Sequence, residues 1–208
     1  MKKSFEKLKT INLDYKATVD ALAESYAEAG LRDRQYNDEI KAQRLTERNV
    51  DYTARIDAGA EKALAEATLE IDKLRGAMRA YITSSDDAAA LAAAQALVSA
   101  GVELSDTELA AFSEKGGFAT LKLLEKHTGG KVETPDLEKF NTELREVQGH
   151  FNSIKNYRGG LAHVGPASPW GNALSPVVSN EVHRGLIDKF GEKLDEMAER
   201  WACLGNGG

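Results

Sequence analysis

Residues 60–81 read AEKALAEATLEIDKLRGAMRAY. Within them Ala60, Leu64, Ala67, Ile71, Leu74, Met78 and Tyr81 recur at spacings of 4, 3, 4, 3, 4 and 3. That is the period of a single apolar stripe on an α-helix. Small residues alternate with large ones along it, a pattern that lets two helices approach closely. Gly59 and Gly76 fall off the stripe. Each costs roughly 1 kcal/mol against alanine, which weakens a helix without ending it.

The stripe sits in a chain whose first proline is Pro135. With no breaker upstream, the second helix is expected over residues 33–82. At 1.5 Å per residue, a continuous helix from Arg32 to Ile82 would be roughly 75 Å long. A rod of that length cannot bury its stripe against itself, so it requires a partner helix or a partner chain. Upstream, Tyr36, Ile40, Val50, Tyr52 and Ile56 do not hold one phase, which marks a polar half that is exposed, kinked or disordered. Residues 4–29 are expected to form the first helix. Leu8, Ile11, Tyr15, Val19, Leu22, Tyr26 and Ala29 make its stripe, and Gly30-Leu31 fits a glycine stop where the chain can reverse.

Beyond Ile82 the helices are expected to shorten. Ser84-Ser85-Asp86-Asp87 is a start signal, with carboxylates on the positive end of the helix dipole. An alanine-rich helix over 86–100 follows and stops at Gly101. Ser105-Asp106-Thr107-Glu108 is a capping box, Gly116-Gly117 is a break, and Gly129-Gly130 closes the next short helix. Thr134 is expected to cap a helix with Pro135 at its first position. Its stripe is Leu137, Phe140, Leu144, Val147, Phe151, Ile154 and Tyr157. Residues 160–178 hold three prolines and read as an irregular loop. Ser179 is expected to cap the last helix, which carries Val182, Leu186, Phe190, Leu194, Met197 and Trp201. No segment has a useful strand period. The fold class is therefore all-α: a long N-terminal helical hairpin or coiled-coil arm over 1–83, a small helical bundle domain over 84–204 and a fraying tail over 205–208.

The 208 residues carry a net charge of −6. That balance argues against binding nucleic acid by bulk electrostatics, which needs a basic face. Arg32, Arg34, Arg44, Arg48 and Arg55 are interleaved with acids. They are expected to form a solvated helix face laced by local pairs such as Arg44 and Arg48 with Glu47 and Asp51. Cys203 is the only cysteine, so no intrachain disulfide and no cysteine metal cluster can form. The N-terminus lacks the apolar run of a signal peptide. The most apolar stretch, residues 88–98, is too short to span a bilayer. A cytoplasmic chain without membrane contact follows as the expectation.

No phosphate loop, dinucleotide glycine pattern or nucleophile elbow is present. His127, His150 and His183 share no metal-ligand spacing, so neither a metal nor a cofactor is expected. Glu143 and Glu146 are expected on a solvated face. Trp170 and Trp201 are expected to anchor the last loop and helix. The sharpest local pattern is Arg158-Gly159-Gly160-Leu161-Ala162-His163, between an amphipathic helix and a terminal one. Over residues 134–204 it resembles the HEPN family of helical ribonucleases. The resemblance implies metal-independent RNA cleavage, with His163 moving a proton and Arg158 holding phosphate charge. Gly159 departs from the polar residue usual after the arginine. Structurally, Arg158 would instead cap a helix end and His163 would pack under the loop.

A wider resemblance covers residues 1–127. Three segments carry it: the charged, heptad-like run from Phe5 to Ala29, the second helix from Ala60-Glu61-Lys62-Ala63-Leu64, and the short-helix unit from Leu104-Ser105-Asp106-Thr107-Glu108-Leu109 to Leu124. Together these are similar to small helical proteins encoded in the head modules of tailed phages. The resemblance implies a scaffolding or capsid-associated role, with a virion as a possible destination. The mixed charge of residues 181–201 departs from the basic C-terminal helix of many scaffolds. The expected function is non-catalytic: a structural or assembly protein that self-associates and contacts other virion proteins. An adaptor that binds a partner helix is the third expectation. Association is expected through Tyr15, Val19, Leu22, Tyr26, Leu64, Ile71, Leu74 and Met78, at about 1.5–3 kcal/mol per large side chain buried.

Overall fold

The computed structural model describes residues 1–83, 88–156 and 176–202. Among them there is no strand; the chain is all-α. Among the described residues seven α-helices follow one another: α1 (Lys2–Arg32), α2 (Asp38–Thr83), α3 (Ala88–Ser99), α4 (Asp106–Lys115), α5 (Phe118–His127), α6 (Leu137–Asn156) and α7 (Pro176–Arg200). A 3-10 turn over Asp33–Gln35 joins α1 to α2.

The contacts divide the chain into two units, and they do so differently from the expected boundary between residues 83 and 84. One unit comprises Met1–Asp72 with Glu143–Ala202; the other is Lys73–Thr142 with the C-terminal residues. In the first unit α1 packs against α2 as an antiparallel pair. Lys7 bonds Glu70 at 2.9 Å. A Cβ at Gly59 would stand 3.4 Å from Thr18 and 3.8 Å from the Tyr15 ring, in ordinary van der Waals contact, so the two helices pass close to each other here. The other side of α1 meets α7, where Lys9 pairs with Asp195 and Lys16 with Asp188. In turn α7 meets α6, through Lys193 with Glu146 and through Arg200 and Trp201 with Glu143. Hence α1 and α6 run one way, α2 and α7 the other. The first unit is a four-helix bundle in up-down order, and residues 73–142 interrupt it between its second and third helices.

The bundle core follows from the stripes. Phe5, Leu8, Ile11, Tyr15 and Val19 of α1 are buried with Tyr52, Ile56, Ala60, Ala63, Ala67 and Ile71 of α2. From α6 come Leu144, Val147, Phe151 and Ile154, from α7 Ile187, Phe190, Leu194 and Met197, and just beyond it Trp201. The second unit has its own core of Ala94, Leu104, Leu109, Leu124 and Val132, flanked by Leu97, Phe112 and Leu121.

Helix ends decide how each segment stops. The helix α1 does not end at Gly30 but runs to Arg32. The reversal lies at Asp33–Gln35, where buried Asp33 pairs with Arg44 and Arg48. One glycine inside a long helix costs too little to stop it. Gly101, with φ +65°, does end α3, and the Val102 amide closes back on the Leu97 carbonyl at 3.1 Å. The expected capping box opens α4, with the Ser105 amide donating to Glu108 at 2.8 Å. The α6 cap is Asp136, which accepts from the Lys139 amide at 2.9 Å. Thr134, the expected cap, donates to Glu125 instead. The last helix begins at Pro176, ahead of the expected cap Ser179, because proline is pre-set for a first helical turn.

Candidate functional site

The residues expected to form an intermolecular seam are largely consumed inside the chain. Tyr15, Val19 and Ile71 are buried in the four-helix bundle, and Leu74 and Met78 in the second unit. Leu22 and Leu64 are half-buried. The Tyr26 side chain lies outside the described residues. For Tyr15, Val19 and Ile71 the cause is simple: α6 and α7, distant in sequence, supply a partner surface that a rod made only of α1 and α2 lacks. Burial also raises the Tyr15 phenol far above its ordinary value, because its ionised form would lose water.

A different surface is left open. Before Tyr52, no described side chain of α2 is buried. Ile40, Gln43, Glu47, Val50 and Ala54 all face solvent at spacings of 3, 4, 3 and 4, with Val50 67% and Ile40 40% exposed. At 100° per residue this stripe lies opposite the one formed by Tyr52, Ile56, Ala60 and Ala63. The mixed phase upstream of Ala60 is therefore two stripes on two faces. Two ion pairs and a hydrogen bond support this half as a helix: Lys41 with Asp38, Arg55 with Asp51, and Gln43 donating to Glu47. Arg44 and Arg48, expected to pair with Glu47 and Asp51, reach back to Asp33. The Arg44 guanidinium also covers the Tyr36 ring at 4.2 Å.

Two polar clusters were not legible in the sequence. Asn12, fully buried, donates through Nδ2 to the Ile187 carbonyl at 2.9 Å. Its Oδ1 is then the acceptor for His150 Nε2 at 2.9 Å, which fixes the proton on Nε2. The His150 ring lies flat on Phe190, with centroids 3.6 Å apart. Glu143, expected on a solvated face, is buried beneath Arg200 and the Trp201 indole. Both clusters join helices. Trp201 is buried and anchors α7, as expected.

Arg158, His163 and Trp170 lie outside the described residues, as does Cys203. His127 sits at the end of α5, its Nε2 3.2 Å from the Val102 carbonyl. No group of three or more His, Cys, Asp or Glu side chains that could hold a metal ion occurs among the described residues. No helix of those residues is long and apolar enough to cross a membrane. Comparison of the chain with protein-family models, with curated proteins and with solved structures finds no match.

Proposed function

We propose that this chain is a non-catalytic structural or assembly protein, and that it associates through the exposed stripe of α2 between Ile40 and Ala54. One observation supports this reading above others. A helical segment of several turns keeps an apolar-containing, heptad-spaced face in solvent, and of its described side chains only Tyr52, near its end, is buried. A helix without a buried face is held by ion pairs or by a partner. This one has the pairs, and in Ile40 and Val50 it has side chains that water solvates poorly. Gln43 and Glu47, in the middle of the stripe, would set its register against a second helix. A second copy of the chain is the proposed partner. The resemblance of residues 1–127 to tailed-phage head-module proteins makes assembly beside other virion proteins the setting of this proposal.

Sedimentation velocity of the full chain over a wide concentration range tests it. Wild-type protein is expected to associate as concentration rises. The variant carrying Ile40→Asp and Val50→Asp is expected to stay monomeric with an unchanged thermal melt. A wild type that stays monomeric throughout would sink the self-association reading.

A further inference from the structure

The second unit contains a cavity of about 320 Å³ between the end of α2 and the start of α6. Its floor is Met78 and Phe140, both buried, and Ile82 and Leu137 are its half-buried walls. At its rim stand Arg75 and Arg79, one helical turn apart on α2, with the Asn141 amide across from them on α6. The lining thus carries two permanent cations, an amide and no carboxylate among the described residues. Arginine stays ionised throughout the accessible pH range, and each guanidinium presents a planar fork of donors. A small-molecule site is typically an apolar hollow of several hundred Å³ with a few convergent polar groups. This cavity falls in that range, and both of its charged groups are cations.

We infer that this cavity binds a small amphipathic anion, a carboxylate or phosphate carried on a short apolar body. The head group would lie between Arg75 and Arg79 with Asn141 donating to it. The apolar body would fill the space over Met78 and Phe140. The site uses none of the stripe residues of the proposed assembly role, so either can fail without the other.

Octanoate, octanol and inorganic phosphate are the probes, titrated into the full chain by calorimetry and followed by NMR shift changes. Octanoate is expected to bind, shifting the Asn141 side-chain amide and the Met78 methyl. Octanol and phosphate should each bind at least about tenfold more weakly, since each lacks one half of the recognition. Arg75→Gln with Arg79→Gln should weaken octanoate by about tenfold or more while leaving octanol unchanged. Arg79→Gln alone, at an exposed position, gives the same direction if the double variant folds poorly. Absence of octanoate binding would overturn the inference. Equal octanoate affinity in wild type and variants would do the same. Phosphate binding as tightly as octanoate would remove the apolar half of it.

Discussion

Asn12 and His150 join α1 to α6 through a 2.9 Å hydrogen bond between residues 138 apart in sequence. Asn12 is wholly inaccessible, and its other end is committed to the Ile187 carbonyl of α7. One side chain therefore ties three helices of the bundle. Removing a partner from a buried hydrogen bond leaves the other group unsatisfied, at about 1–3 kcal/mol. Asn12→Ala should lower the melting temperature by roughly 2–12 °C. Combined with His150→Phe, which keeps a ring on Phe190, the loss should be less than the sum of the two. Thermal melts of the four proteins in that cycle decide it; strict additivity would mean the bond adds nothing.

The buried Glu143 makes a comparable clasp at the far end of α7. Its carboxylate takes Arg200 and the Trp201 indole N–H. Glu143→Ala should cost about 1–3 kcal/mol and should move the Trp201 indole resonance toward the position of an unbonded N–H. Recording that resonance in a Trp170→Phe background isolates it. An unmoved peak would mean that the indole never depended on the carboxylate.

Gly76 and Gly101 should respond to alanine in opposite directions. Gly76 is inside α2, and a Cβ there would meet nothing within 4 Å. Gly76→Ala should stabilise the protein by about 0.5–1 kcal/mol. Gly101 ends α3 with φ +65°, a conformation that costs an L side chain about 1–2 kcal/mol. Gly101→Ala should destabilise by about that amount. Urea midpoints of the two variants give the test, and a shared sign would contradict one assignment.

The helices were legible in the sequence because the signals that make them are local. Stripes spaced by three and four, the Ser105–Glu108 box and the glycine stop at Gly101 each act within a turn or two of their own position. The bundle was not legible, because it depends on which stripe meets which. Tyr15 and Val19 have the same pattern whether α7 or another chain covers them. Glu143 reads as a solvated position and nothing singles out Asn12, since their partners Ile187, His150, Arg200 and Trp201 are brought near only by the fold. Gly30 misled for the opposite reason. It carries a local stop signal, but Asp33, held by Arg44 and Arg48, places the turn just beyond it.

The ribonuclease resemblance has its own test, independent of the geometry of Arg158 and His163. A non-catalytic chain should leave mixed RNA intact at high protein concentration without metal. Metal-independent cleavage that vanishes in both Arg158→Ala and His163→Ala, with melts unchanged, would replace the assembly reading with the enzymatic one.

The capping box makes α4 sensitive to acid. The Ser105 hydroxyl, and after it the Ser105 backbone amide, hold the Glu108 carboxyl below its ordinary value of 4.5. Glu125 is held below the same value by Lys122 and then by Thr134. A carboxyl with a lowered value in the folded state binds its proton less readily there than in the unfolded chain. Its contribution to stability is thus complete above 4.5 and disappears as pH falls through the lower folded value. Glu108 is exposed and Glu125 half-buried, so the effect is small and is weakened by salt. Glu108→Gln keeps an acceptor for the Ser105 amide but cannot titrate. Melting temperatures of wild type and Glu108→Gln should therefore run parallel near neutrality and converge at the acid end. Curves that stay parallel through the acid range would show that the box bonds Glu108 equally well protonated and ionised.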